Sequence, residues 1–353
     1  MRFLPTKLPL VAAPMAGGAT TVELALAASR AGAFPFLAAG YKNVDTMAAE
    51  IETLREQVEH FGVNLFALGS SALPPRSLSE NERLEEHKQQ QRLYEEYRHE
   101  LAPEAHALGI TLDAPYRAED TDSWAEKLEY LLAHPVPYVS FTFGLPAVED
   151  IRALHERGSR VIATITTVEE ALLAHNAGVD ALIAQGPRAG GHSATYNSLR
   201  EIEDKDTLQL LSEILAAVDI PVIAAGGIDS PQTVREHIDA GAEAVAIGTL
   251  LLTSDEAGTS GAYRQIFSRD WDSTVMTRAF TGRYARALKN SFVSTYSGHD
   301  GYPALHYLTK PLRAAATRAQ DWERMHLWAG TGWKNAPYTS AEETIAWLAN
   351  DLG

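Results

Sequence analysis

Short runs of apolar residues recur along roughly the first 250 positions, and many of them are bounded by glycine or proline. Strands with one face in water alternate between apolar and polar residues, whereas these runs are continuously apolar. The pattern therefore predicts buried strands of a parallel sheet. They are expected at 10–13, 33–38, 62–66, 138–141, 161–164, 180–184, 221–225 and 244–247.

Segments with helical periodicity lie between these runs and carry start and stop signals. Residues 21–31 and 167–177 each begin with threonine and are followed by glycine, which is typical of helix ends. Residues 230–240 begin with Ser-Pro and are followed by Gly241. Eight strands alternating with helices predict a TIM (β/α)8 barrel rather than a doubly wound open sheet.

Two regions do not fit this repeat and suggest the domain organisation. We expect the barrel over 1–255, with a charged helical excursion at about 71–106. Residues 256–319 exceed an ordinary connection, so they predict a smaller, mostly helical subdomain that caps the substrate. Residues 320–353 include a capping-box pattern before an amphipathic segment, which predicts a last helix returning to the barrel.

Charge and composition limit the partners. The formal net charge of −16 argues against nucleic acid and against an anionic membrane surface. The chain has no cysteine, so disulfides and cysteine-ligated metals are excluded, and no metal site is predicted. With no apolar run of about 18 residues and no signal-like start, we expect a cytoplasmic protein without membrane contact. The sequence is compatible with a monomer and with a homodimer.

The segment 185–192, directly after the sixth predicted strand, reads Gln-Gly-Pro-Arg-Ala-Gly-Gly-His. Gly190 and Gly191 have no side chains, so a ligand can approach the backbone closely. His192 would be placed for proton transfer near neutral pH, although a tight turn with a surface histidine is the alternative. Because active sites of such barrels lie at the C-terminal ends of the strands, we predict that His192 is catalytic.

Glycines also follow the last two predicted strands, with Gly226 and Gly227 after the seventh and Gly248 after the eighth. Barrels commonly bind a phosphate at these positions. The chain has neither a dinucleotide fingerprint nor a P-loop motif, so the mononucleotide flavin FMN suits the pattern. The flavin ring would lie near Asn64 and Gln185. The side-chain amides of these two residues could equally make their hydrogen bonds within the core.

Several segments together resemble the nitronate monooxygenases, formerly called 2-nitropropane dioxygenases, and most closely their class I group. The matching segments are 13–18, 37–41, 61–66, 139–146, 184–192, 221–228 and 246–249. The resemblance implies an FMN-dependent TIM barrel that uses O2 to oxidise alkyl nitronates to a carbonyl compound and nitrite. Propionate 3-nitronate, a small anion, is the substrate that it implies.

The resemblance also implies roles for individual residues. The family's active-site histidine falls on His192. The flavin contacts fall on Met15, Ala16, Gly17, Asn64, Gln185, Gly191, Gly227, Gly248 and Thr249. Two positions depart from the family: Arg188 stands where glutamate is usual, and Thr331 stands where glutamine is common.

The class I substrate pocket uses tyrosines and a lysine from the C-terminal helical region. Tyr302, His306 and Lys310 are spaced so that one helix would present all three on one face, with a surface stripe as the alternative. Tyr307 and Tyr116 are further candidates for substrate binding.

A nitronate is an anion, so we expect positive charge from Lys310 and from a protonated His192. His192 would act as a base on a neutral nitroalkane, whereas on a preformed nitronate it would bind the nitro group. An NAD(P)H:quinone or enoyl-thioester reductase on the same barrel is the nearest alternative. A flavin-free isomerase or aldolase barrel is the more distant one.

Overall fold

The computed structural model describes residues 2–68, 79–350 and 352. Eight parallel strands form a closed barrel, in the order β1-β2-β3-β4-β5-β6-β8-β9, which confirms the predicted TIM barrel. These strands are β1 (Leu10–Ala12), β2 (Phe34–Ala38), β3 (Gly62–Phe66), β4 (Tyr138–Thr142), β5 (Arg160–Ile165), β6 (Ala181–Gln185), β8 (Val222–Ala225) and β9 (Ala244–Ile247).

Helices follow the strands and form the outer layer of the barrel. The helices described in the structure are α1 (Val22–Arg30), α2 (Val44–Arg55), α3 (Glu80–Glu100), α4 (Ala102–Ala107), α5 (Trp124–Ala133), α6 (Val148–Glu156), α7 (Val168–Ala177), α8 (Thr207–Leu215), α9 (Pro231–Asp239), α10 (Gly261–Ile266), α11 (Ser291–Thr295), α12 (Ala304–Ala319) and α13 (Ala341–Ala349). None of them is both long and apolar enough to cross a bilayer, as far as the described residues go.

The predicted helix signals lie where the helices begin and end. The side chains of Thr21, Thr167 and Ser230 accept hydrogen bonds from backbone N–H groups in the first turns of α1, α7 and α9. Gly178 ends α7 in the left-handed conformation, which glycine adopts at little cost. Ser340 starts α13 with a capping box, and α13 packs between α1 and α9 on the barrel wall.

One apolar layer fills the inside of the barrel and a second covers its outside, because alternate strand residues point to opposite faces. Phe34 and Phe36 of β2 lie inside, in a cluster with Tyr138, Ile162 and other inward residues. Gly62 has to be glycine here, since a Cβ atom on it would lie 2.1 Å from the Phe36 ring. The outward residues pack beneath the helices.

The charged excursion is helical over α3 and α4, while residues 71–78 of that prediction lie outside the described residues. Helix α3 is mostly exposed, but Tyr94 and Tyr97 are buried against Phe280 and Leu305 of the C-terminal half. The Tyr97 hydroxyl donates to the Ala279 carbonyl at 2.6 Å. The excursion therefore packs against the part of the chain that follows β9.

The region after β9 contains more than helices. A three-stranded antiparallel sheet joins β10 (Thr274–Thr277), β11 (Ala285–Leu288) and β7 (Gly191–His192). The glycines before His192 are typical of a loop, and the expectation of a loop there is wrong, because the His192 backbone pairs with Ala285 of β11. At His192 this pairing joins the segment after β6 to the region after β9.

Candidate active site

His192 is held by backbone pairing on one side and by Gln185 on the other. The Gln185 side chain donates to the His192 carbonyl at 3.2 Å and accepts from the Ala194 N–H at 2.8 Å. Ser193 N–H donates to the Tyr284 carbonyl at 2.8 Å. Gln185 at the end of β6 therefore positions β7, and its amide is satisfied by the backbone.

The His192 ring lies in an aromatic setting at the barrel mouth. Its Nε2 is 2.8 Å from Thr281 Oγ1, and the rings of Phe143, Tyr302 and Trp328 lie 5.3 to 6.4 Å from it. Its Nδ1 makes no hydrogen bond with any residue that the structure describes. One nitrogen is thus anchored, and the other can interact with a ligand.

The pKa of His192 is lowered to about 3, first by burial and then by the positive charges of Arg283 and Arg313. His192 is therefore neutral at ordinary pH, and the expectation that it supplies positive charge is wrong. A neutral imidazole with a free nitrogen can accept a proton.

Positive charge at this site comes instead from Arg283 and Arg313, which the sequence analysis missed. Both side chains are buried, and burial lowers the pKa of each to about 10, so both are charged at neutral pH. Arg283 lies over the Phe143 ring, with its guanidinium carbon 4.1 Å from the ring centroid. Arg313 Nη2 donates to the His306 carbonyl at 2.8 Å. Within the described chain, neither arginine forms an ion pair with a carboxylate.

Tyr41 belongs to the same cluster, and a buried ion pair fixes its backbone. Asp122 accepts from the Tyr41 N–H at 2.9 Å and pairs with Lys127 at 2.7 Å. Tyr41 has a φ of 66°, and its ring stacks on His306 with the centroids 4.6 Å apart. Burial raises the pKa of the Tyr41 and Tyr302 hydroxyls, so both keep their protons.

The predicted substrate residues separate into two groups. Tyr302 and His306 lie in the cluster around His192, whereas Lys310 is exposed to solvent. Tyr307 donates to Asp120 and Tyr116 packs on His87 and Tyr94, so both side chains are engaged in other contacts. The prediction that one helix presents Tyr302, His306 and Lys310 is wrong for Tyr302, which precedes α12.

The backbone at the ends of β8 and β9 offers a set of free donors. The N–H groups of Gly226, Gly227, Gly248 and Thr249 make no hydrogen bond to any described residue. Thr249 Oγ1 accepts from Gly330 N–H at 2.9 Å, so the C-terminal segment closes one side of this site. Free N–H groups at two adjacent strand ends can donate hydrogen bonds to a phosphate.

The remaining predicted flavin contacts lie on β3, after β1 and in β7. A Cβ atom on Gly17 or Gly191 would have no atom within 4 Å, so space is open above both. Met15 lies beside Gly248, its sulfur 3.7 Å from a Cβ built there, and Ala16 follows it in the same partly buried turn. Asn64 is buried and donates to Ser140 and Thr142 side chains at 2.9 and 3.0 Å.

Gly190 and Gly226 are required for packing between loops. A Cβ atom on Gly190 would lie 2.5 Å from the Gly330 nitrogen, and one on Gly226 would lie 2.8 Å from the Ala189 nitrogen. Glycine at these positions lets the loop after β6 approach both the segment at Gly330 and the loop after β8 closely.

Arg188 and Thr331 occupy the edge of the donor set. The Arg188 side chain lies against Gly227 and pairs with Asp206 at 2.7 Å. Its carbonyl accepts from Thr331 N–H at 3.1 Å. Arg188 thus brings a half-exposed positive charge beside the end of β8, and it stands at the position where the resemblance implies glutamate.

The buried histidines predict acid sensitivity of the fold. The pKa of His306 is lowered to about 2 by burial and by Arg313, so the folded protein leaves it unprotonated while the unfolded chain binds a proton below about 6.5. Such a group lowers the free energy of unfolding by up to about 1.4 kcal/mol per pH unit as the pH falls below 6.5. In urea unfolding of the FMN-free protein from pH 7 to pH 4, the free energy of unfolding should fall less steeply in His306→Asn than in the wild type. Equal slopes in both proteins would count against this placement of His306.

Comparison with protein families gives a match over almost the whole chain. The family model described as nitronate monooxygenase matches residues 1–351. A relative described as a probable nitronate monooxygenase, from Staphylococcus aureus strain MSSA476, is 32% identical over 359 aligned positions. The alignment covers 99% of this chain and 96% of the relative.

Solved structures show a similar architecture. The nitroalkane oxidase from Streptomyces ansochromogenes aligns with a TM-score of 0.86 and 39% identity, covering 98% of this chain and 96% of that one. FabK from Thermotoga maritima aligns with a TM-score of 0.68 and 23% identity, covering 99% and 93%. The second likeness shows a shared fold alone.

Proposed function

The chain belongs to the nitronate monooxygenase family, and from this premise we propose that it is an FMN-dependent enzyme that oxidises alkyl nitronates. The proposed reaction uses O2 and yields a carbonyl compound and nitrite, with propionate 3-nitronate as the preferred substrate. The likeness to a nitroalkane oxidase at 39% identity supports oxidation of nitroalkanes or their nitronates.

The free donors at the barrel mouth support FMN as the cofactor. The N–H groups of Gly227, Gly248 and Thr249 would bind its phosphate, as the loops after the seventh and eighth strands do in many barrels. The open space above Gly17 and Gly191 suits a planar ring. Bound FMN would supply the redox chemistry, which no side chain of this protein can provide.

One observation carries the proposal: a neutral His192 with a free Nδ1 lies beside two buried arginines. The arginines would hold an anionic substrate, and the surrounding Phe143, Tyr302 and Trp328 rings would exclude water. With a neutral nitroalkane, His192 Nδ1 would accept the Cα proton and so form the nitronate at the site. With a preformed nitronate, no base is needed. In the other tautomer, with Nε2 accepting from Thr281 Oγ1, the His192 Nδ1–H would donate a hydrogen bond to the nitro group.

Oxygen uptake with nitrite release tests the proposal directly. The FMN-loaded protein should consume O2 and release nitrite when propionate 3-nitronate is added. The same protein freed of FMN should do neither, which serves as the control. Absence of both signals in the loaded protein would overturn the proposed function.

A further inference from the structure

Arg188 lies in the loop directly after β6, and its side chain runs along Gly227. A Cβ atom built on Gly227 would lie 3.2 Å from both the Cβ and the Cδ of Arg188. The Gly227 N–H is one of the free donors at the ends of β8 and β9. The stem of Arg188 therefore lies beside the site that is proposed for the FMN phosphate.

The backbone of Arg188 is held in place on two sides. Its carbonyl accepts from the Thr331 N–H at 3.1 Å, which ties it to the C-terminal segment. The next residue, Ala189, donates to the Gly186 carbonyl at 3.1 Å, and its nitrogen would lie 2.8 Å from a Cβ atom on Gly226. The position of Arg188 beside the end of β8 is therefore fixed, whereas its guanidinium group can still turn about the side-chain bonds.

The guanidinium group of Arg188 is held by one exposed ion pair. Its Nη1 lies 2.7 Å from Asp206 Oδ2, and the two side chains are 46% and 41% exposed. Ion pairs this exposed add little to stability, because water and salt screen both charges. Asp206 also begins α8, where its Oδ1 accepts from the Leu208 N–H at 2.8 Å. The carboxylate therefore keeps a hydrogen bond within its own helix when Arg188 moves away.

Arg286 of β11 also reaches this loop, but its donors are already in use. Its Nε donates to the Pro187 carbonyl at 2.6 Å, and its Nη1 donates to Thr274 Oγ1 at 3.0 Å. Burial lowers the pKa of Arg286, and the positive charge of Arg188 lowers it further. The two cations are thus close enough to repel each other, and an anion bound at Arg188 would reduce this repulsion.

We propose that Arg188 exchanges Asp206 for the phosphate of FMN and so adds a charged ligand to the backbone donors. A phosphate monoester carries about −1.5 to −2 charges at pH 7. The planar guanidinium matches the geometry of its oxygens. The resemblance implies glutamate at this position, and a carboxylate there would repel the phosphate, so the contribution of Arg188 is a property of this chain. The inference rests on the proposed function, because it requires FMN as the cofactor.

Flavin fluorescence titrations of the FMN-free protein test the role of Arg188. In Arg188→Gln, the Kd for FMN should rise about 5–20-fold, which is less than for a buried charged hydrogen bond because the guanidinium is half exposed. The Kd for riboflavin, which lacks the phosphate, should change by less than about twofold. Arg188→Lys should recover part of the FMN affinity, since it keeps the charge. Equal losses for the two flavins, or no loss for FMN, would overturn the assignment.

Arg30→Gln is the matched control for the loss of an exposed ion pair. Arg30 of α1 pairs with Glu342 of α13 at 2.6 Å, and the two side chains are 56% and 43% exposed. This pair lies on the barrel wall, so the variant should bind both flavins as the wild type does. A rise in the Kd for FMN as large as that in Arg188→Gln would show that the effect is not specific to Arg188 and would contradict the proposal.

Asp206→Asn tests the exchange of partners. Asparagine keeps an acceptor for the first turn of α8 and removes the carboxylate that competes with the phosphate for Arg188. FMN should therefore bind about 2–10-fold more tightly, and riboflavin should bind as it does to the wild type. Weaker or unchanged binding of FMN would mean that Arg188 does not leave Asp206 for the phosphate.

These experiments measure binding without turnover, so they separate the role of Arg188 from the proposed reaction. A wild type that binds neither flavin would overturn both the FMN cofactor and the role of Arg188. If the wild type binds FMN and Arg188→Gln binds it more weakly, but no nitronate is oxidised, the proposed reaction fails and the role of Arg188 stands.

Discussion

Replacing His192 with asparagine should lower the turnover of neutral nitroalkanes by about 10²–10⁴-fold, the usual contribution of a general base. The asparagine amide is too short to reach Thr281, which His192 contacts through Nε2, and it cannot accept the Cα proton at neutral pH. Oxidation of preformed propionate 3-nitronate should fall much less, because its Cα proton has already been removed.

The comparison is made on one variant with two substrates, so a general loss of folding or of FMN affects both alike. Initial rates with nitroethane and with ethyl nitronate, at saturating O2, give the required ratio. Equal losses on the two substrates would show that His192 binds the nitro group and does not remove a proton. In the FMN-free protein, the NMR signals of the His192 ring should not titrate near pH 6.5, the usual pKa of histidine, since burial and the two arginines lower the pKa of His192 to about 3.

Gly248→Asp should weaken FMN binding by a factor on the order of 100 or more, while leaving riboflavin binding nearly unchanged. Gly248 has an ordinary negative φ, and a Cβ atom there would meet the Met15 sulfur at 3.7 Å, so the fold tolerates a side chain. The carboxylate would face the phosphate at close range, where like charges about 4 Å apart repel by about 4 kcal/mol at an effective dielectric constant of 20.

Gly248→Asn is the matched control, because it has the same shape without the charge. Flavin fluorescence titrations with FMN and riboflavin on both variants give four dissociation constants. Only the binding of FMN to Gly248→Asp should be weak, and the other three dissociation constants should show no such weakening. If asparagine weakens FMN as much as aspartate does, the effect is steric and the phosphate site is wrongly placed.

The barrel could be predicted because its signals are local. Each strand is a mostly apolar run, and the caps Thr21, Ser230 and Gly178 lie directly beside the helices that they begin or end. His192 could be located for a related reason, since its loop directly follows a predicted strand. The position after the sixth strand then placed it at the face where barrels carry out their chemistry.

The charges of the site could not be predicted because they depend on contacts between distant segments. Arg283 approaches the site only through the β10–β11 hairpin and its pairing with β7. Arg313 lies seven residues after His306, which places the two side chains on the same helix face, but nothing local distinguishes it from Lys310. Burial decides between them: Arg313 is 9% exposed, whereas Lys310 lies in solvent.

Anaerobic mixing of the FMN-loaded protein with propionate 3-nitronate, and separately with NADH, tests the central claim most directly. The account predicts that the nitronate bleaches the flavin absorbance rapidly and that NADH does so slowly or not at all. Rapid bleaching by NADH with no response to the nitronate would contradict it and would identify the protein as a reductase on the same barrel.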